Sequence, residues 1–574
     1  MPNIARLTKS IIAAATCAIA TSATLAADPP KAKELAASTT SGPAKELTGQ
    51  YVYELMLAEI AAARGEYQLA SAAYVDLARR TQDARIARRA TEISLMGQQL
   101  QQAGEAARLW VQAEPDSVPA LQTLAVVLAN GAGSVTELEA PVARLLASGS
   151  APLDSMLMQL PRLYGRYPDK AAVAASIERL TQPYINMPEA HFARAVAYGG
   201  AQDNTRAQAE AAEALRLRPD WEAAALLRAQ SAPKEQQAEA MAQLNEFAKR
   251  NPTARESRVL YARWLVSEKR FDEARAAYAD LKKSFPDDDD IAYVVVALAV
   301  QSDDYDTAER ELQRLIDRKY RDPDLLRLQL GQVYEEAGNP ARAVEQYRQV
   351  GEGQHYAPAQ ARMAMVMAKS GDVAGARALL EKAAAAGDEE ESAAYQMAES
   401  QMLRDMGQTA EAQKVMESLL AKQPDNPEAL YESAMLDDRL KNYEGMEKKL
   451  RRLIELKPDY AHAYNALGYS FVDRNVRLTE ADQLLTKAIG LAPEDAAIMD
   501  SVGWLRYRKG DLPGALDMLQ RAYAKLQDAE VAAHLGEVQW KMGHKDDARA
   551  TWEGALKTAP DSPALRETIK RLTQ

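Results

Sequence analysis

The side chains that could do chemistry are few and scattered. Five histidines, His191, His355, His462, His534 and His544, and a single cysteine, Cys17, make up the whole supply of imidazole and thiol. No two histidines form the H-E-x-x-H pattern that brings two imidazoles onto one face of a helix to hold zinc, so neither a metal site nor another cofactor is expected. There is no G-x-S-x-G nucleophile elbow, no Walker phosphate loop and no G-x-G-x-x-G. Ser231-Ala-Pro-Lys234 spells the S-x-x-K string of serine–lysine acyl enzymes. It lacks companion motifs and falls at an expected turn between two helices, so it is read as coincidence. The acidic runs Asp287 to Asp290 and Glu389 to Glu391 lack calcium-loop spacing and sit at expected helix starts, where carboxylates favour the helix dipole. No catalytic residue is assigned, and a non-catalytic protein is expected.

The elements that hold these residues follow from composition and period. The chain has 574 residues, 47% hydrophobic and 26% charged, with only 28 Gly and 26 Pro, which excludes collagen-like and wholly disordered classes. A formal charge of −12 argues against a phosphate-backbone partner, so no nucleic acid is expected. Residues 1–27 carry Arg6 and Lys9, an Ile/Ala-rich stretch and small residues around Ala26 and Ala27, the pattern of a secretory signal peptide. Cleavage there removes both cations, no acid and Cys17, leaving a cysteine-free chain suited to an oxidising periplasm. Lipidation would instead require Cys17, preceded by Ala14-Ala15-Thr16, to become the acylated first residue. Residues 28–48 mix Pro, Ser, Thr, Lys and Ala without apolar period and read as a flexible tether.

From residue 49 a repeat of about 34 residues takes over. Proline–acid pairs recur at Pro424-Asp425, Pro458-Asp459, Pro493-Glu494 and Pro560-Asp561, separated by 34, 35 and 67 residues. Proline cannot continue the preceding helix, and the acid can cap the next one. An apolar–small pair marks the first helix of each unit, as at Leu330-Gly331, Leu467-Gly468, Val502-Gly503 and Leu535-Gly536. Downstream, a small residue precedes a large one by four positions, as in Ala274 and Tyr278, Ala343 and Tyr347, and Ala548 and Trp552. Small residues let helices approach, and large ones fill the groove between units. The loose zone Met363, Met365, Met367, Met397, Met402, Met406 and Met416 reads as core filling, with a forgiving peptide-binding surface as the alternative.

These motifs, Leu330-Gly331-x2-Tyr334 with Ala343-x3-Tyr347 above all, resemble the tetratricopeptide repeat family. The resemblance implies an all-α, TPR superhelical solenoid of thirteen to fifteen helix–turn–helix units: N-terminal units over 49–135, degenerate repeats or a hinge over 136–190, a main array over 191–561 and a capping helix over 562–574. In this family the first helices line the inner surface. That rule places His462, Asn465, Tyr469, Asp500, Trp504, Tyr507, Glu537 and Trp540 in a concave groove suited to an extended peptide or helix. The alternative is that the rings pack between helices. Near the other end Arg85, Arg88 and Arg89 recur at helical spacing beside Glu92, as a second patch for a carboxylate-rich partner or as a solvated, partly self-paired face.

Longer strings narrow the resemblance. Tyr51 to Ile60 (YVYELMLAEI) with Arg88 to Ile93 (RRATEI), and Asp500 to Trp504 (DSVGW) with Glu530 to Glu537 (EVAAHLGE), are similar to a group of tetratricopeptide adaptors that partner a periplasmic carboxyl-terminal processing protease. The resemblance implies a non-catalytic scaffold in the periplasm, associated in many members with the outer membrane. It also implies protein partners: the protease and substrates such as peptidoglycan hydrolases. An envelope-assembly or exopolysaccharide-export scaffold is the alternative.

Overall fold

The computed structural model describes residues 48–573. The expected signal peptide with Cys17, and the tether apart from Thr48, lie outside the described residues. The described chain holds thirty-one α-helices: fifteen pairs in chain order, from Gly49–Ala63 with Tyr67–Thr81 to Ala529–Lys541 with Lys545–Thr558, followed by the single helix Pro563–Thr573. The fold is all-α, and the pair number meets the upper end of the sequence expectation. The chain forms two compact units, Met1–Ser302 and Asp303–Gln574.

Each pair forms for reasons visible locally. Proline and acid mark the boundaries: after Pro493-Glu494, Asp495 caps Ala496–Arg508 by accepting from the Ile498 amide at 2.9 Å. Asp288 does the same for Asp289–Gln301, accepting from Ile291 at 3.0 Å, which puts the Asp287 to Asp290 run at a helix start. Asp388 and Glu391 build a capping box under Glu389–Asp405. Between the two helices of most pairs the chain reverses through a left-handed residue, such as Gly543 at φ 87°. Ser231 ends the helix Glu222–Gln230 and stands at the turn, as expected of the S-x-x-K string.

Packing follows the small–large rule. A Cβ on Gly331 would overlap the Tyr347 ring, one on Gly536 would overlap Trp552, and one on Gly503 would lie 2.7 Å from Leu519 Cγ. Ala274, Tyr278, Ala343, Tyr347, Ala548 and Trp552 are all buried. The core is therefore a series of clusters shared between neighbouring pairs rather than one centre. Met363, Met402 and Met416 lie in it. The last helix buries Leu565, with Ile569 and Leu572 packed beside Trp552, and covers the end of the final pair.

Across 136–190 the chain forms helices Val135–Ala147, Leu153–Leu163 and Lys170–Thr181, with Pro141 and Pro161 inside the first two. A π-helical turn, Leu128–Ala132, precedes them, with Gly131 at φ 113°. One apolar cluster runs from Ala107 to Ala207 through this stretch, and the Tyr167 hydroxyl donates to the Leu128 carbonyl at 2.9 Å.

Candidate functional site

Three successive first helices, Ala461–Asp473, Ala496–Arg508 and Ala529–Lys541, carry the predicted groove residues. The structure brings Tyr469, Asp500, Trp504, Tyr507 and Glu537 together around a residue the sequence analysis did not select, His534. Its ring stacks on Trp504, with centroids 4.1 Å apart and planes 18° apart, and Trp504 stacks in turn on Tyr507 at 4.7 Å. His534 Nδ1 lies 3.0 and 3.1 Å from the two Asp500 carboxylate oxygens. The Tyr507 hydroxyl donates to Glu537 at 2.8 Å, and Arg571 of the last helix pairs with the same carboxylate, Nη1 at 3.0 Å. The Tyr469 hydroxyl donates to Glu530 at 2.5 Å.

Burial sets the electrostatics. Burial of His534 opposes its charge, but the adjacent Asp500 carboxylate, with Glu530 and Glu537 nearby, more than offsets this and holds the imidazole above its ordinary pKa. Burial of Glu537 works against its ionisation, yet hydrogen bonds from Arg571 and Tyr507 keep it below the usual carboxylate value. Burial, reinforced by Glu537, pushes the Tyr507 phenol up to about 12. Charge-assisted hydrogen bonds and ring stacking thus tie three helices and the terminal helix into one rigid block.

The expectation of an exposed Trp504 anchor is corrected: the ring is only 5% exposed, and Asp500 and Glu537 are buried with it. Position along a first helix places a residue on its inner side, but here closely stacked first helices bury that side. Tyr469 and Tyr507 are half-buried on the edge of the block. Trp540 departs from it, lying 5.7 Å from Trp552 with Lys545 and Arg549 over its ring. His462 is exposed, with Asp495 4.0 Å away, and Asn465 keeps a buried Oδ1 without a partner among the described residues. No group of histidine, cysteine and acid among the described residues has the geometry of a metal site.

The N-terminal patch is largely paired within itself. Arg85 binds Asp83, with Nη2 at 2.6 Å. Arg88 binds Glu92 at 3.0 Å. Arg89 grips Glu59 through two hydrogen bonds of 2.8 and 3.0 Å. Glu59 also accepts from the Tyr74 hydroxyl at 2.5 Å. Each pair of strings that carries the adaptor resemblance is therefore one built contact, Glu59 with Arg89 at one end and Asp500 with His534 at the other.

The sequence analysis missed a surface beside this patch. Tyr53, Met56, Leu57 and Ile60 project from Gly49–Ala63 at helical spacing, joined by Leu69 of the next helix; Tyr53 is 63% and Leu69 62% exposed. Leu57, Ile60 and Leu69 also line a groove of about 590 Å³ between the two helices. The signal was present as an apolar face on the first described repeat, which has no preceding unit among the described residues to bury it.

Comparison with known proteins places the chain. The tetratricopeptide repeat family model matches residues 234–289, 297–357 and 397–461. The TPR repeat-containing protein PA4667 of Pseudomonas aeruginosa PAO1 is 33% identical over 583 residues, covering 95% of this chain and 92% of the relative. Among solved structures, the thermophilic TPR protein TTC0263 of Thermus thermophilus is 25% identical, covering 31% of this chain and 98% of its own, with a TM-score of 0.29. Yeast Tom70 is 17% identical, covering 73% of this chain and 94% of its own, with a TM-score of 0.35. Similarity to the PA4667 protein along nearly the whole chain, together with the repeated helix pairs and their small–large contacts, makes this protein a member of the tetratricopeptide repeat family.

Proposed function

We propose that this protein is a non-catalytic periplasmic adaptor that holds a carboxyl-terminal processing protease and presents protein substrates to it, peptidoglycan hydrolases among them. Binding other proteins is the typical work of tetratricopeptide folds. The observation that carries the reading is the apolar face Tyr53, Met56, Leu57 and Ile60 with Leu69, because a contiguous exposed apolar patch marks a protein contact. The string Tyr51 to Ile60, which forms most of this face, is also part of the resemblance to the adaptor group. A scaffold that holds protease and substrate together raises the effective concentration of one beside the other without chemistry of its own.

The test is a reconstituted digestion of a wall hydrolase by the processing protease, with and without this protein. Stimulation by the unaltered chain, lost in the double variant Met56→Glu, Ile60→Glu while helicity and melting are kept, is the expected result. Protease rates unchanged across a wide range of adaptor concentration would overturn the adaptor reading.

A further inference from the structure

A second surface lies where the repeat pattern weakens. Some consecutive first helices lie against each other, as Ala461–Asp473 does against Ala496–Arg508, whereas Val118–Val127 and Leu153–Leu163 are among those that scarcely meet. The π-helical turn Leu128–Ala132 follows the first of these, and the second packs against the next first helix, Pro188–Gly200. The gap is a groove of about 670 Å³. Val142, Leu146 and Leu160 form its buried floor, and Val126 and Met156 its walls; Val126 is 54% exposed.

The rim is what identifies an occupant. Arg162 and Arg166 stand exposed at the groove, and no Asp or Glu lines it. Most arginines of this acidic chain are paired with carboxylates, as Arg85, Arg88 and Arg89 are, yet Arg162 and Arg166 form no side-chain hydrogen bond or ion pair with any described residue. An apolar trough with two free guanidinium groups is complementary to an apolar segment that carries carboxylates. A floor of aliphatic side chains offers little to orient a small polar ligand, whereas an open groove between two helices has room for a helix face.

We propose that this groove binds an amphipathic helical segment of a partner protein, its apolar side chains on Val142, Leu146 and Leu160 and its acidic side chains on Arg162 and Arg166. The surface is separate from the apolar face of the first helix, and the proposal does not depend on the protease reading.

The test uses the full chain without its leader and two synthetic 18-residue helical peptides with a leucine face, one with glutamates and one with lysines on the flanks. Fluorescence anisotropy should show the glutamate peptide binding at least about tenfold more tightly than the lysine peptide, as charge complementarity requires. Arg162→Glu with Arg166→Glu should reverse that preference while circular dichroism and melting stay unchanged, since both residues are exposed. A photo-crosslinker at position 126 should capture the glutamate peptide, and the same crosslinker at position 540 should not. Equal binding of the two peptides, a preference unaltered by the double reversal, or capture at position 540 alone would overturn the proposal.

Discussion

Replacing Trp504 with alanine tests whether the C-terminal block is a structural core. The ring is 5% exposed and stacks between His534 and Tyr507, with Arg508 5.0 Å from its centroid. Truncating a buried tryptophan costs about 3–5 kcal/mol, and loss of two stacking partners places this site toward the upper end. One contribution works the other way: Trp504 Nε1 is buried without a hydrogen-bond partner among the described residues, and removing it recovers on the order of 1 kcal/mol. The net expectation is a loss of about 4 kcal/mol, and Trp504→Phe, which keeps a stacking ring without the orphaned N–H, should recover more than half of it. Urea denaturation followed by circular dichroism is the assay, read at the transition of the C-terminal repeats because arrays of this kind need not unfold in one step. A Trp504→Ala variant as stable as the parent, with a partner's affinity lost, would refute the core assignment and restore Trp504 as an exposed anchor.

The His534–Asp500 pair should leave a signature in pH. Because the folded pKa of His534 is raised, its stabilising charge is fully present below the unfolded value of about 6.5 and is lost as pH rises through the folded value, so the stability gap between parent and His534→Gln should be widest in acid and narrow as pH rises through the folded value. Gly536→Ala should destabilise strongly because its Cβ overlaps Trp552, while Gly554→Ala, whose Cβ meets nothing nearer than Tyr523 Oη at 4.0 Å, should stabilise by about 0.5–1 kcal/mol; melting temperatures of the two variants decide. Arg89→Ala should cost no more than about 1 kcal/mol by denaturation, since Arg89 and Glu59 are 40% and 45% exposed and water screens the pair.

The sequence by itself determined the helix pairs and their punctuation. Proline–acid pairs, capping acids such as Asp495 and Asp288, and the Gly331–Tyr347 and Gly536–Trp552 contacts act over one repeat or less, so their spacing is legible without coordinates. The same holds for the place of Ser231 at a turn, of the acidic runs at helix starts and of Met363, Met402 and Met416 in the core. Exposure was a different matter. A first-helix position points to the inner side by period alone, but whether that side is open depends on how closely the next first helix approaches. Tight stacking buries Trp504 and brings His534, a full repeat further along the chain, against its ring; two first helices that scarcely meet leave the groove at Arg162 and Arg166 open. Pairing is partly nonlocal: Arg85 with Asp83 and Arg88 with Glu92 are within reach of the sequence, but only the fold sets Glu59 against Arg89. Tertiary structure alone decided which charges and rings remain available, because helix period specifies the direction of a side chain and only its neighbours specify what it meets.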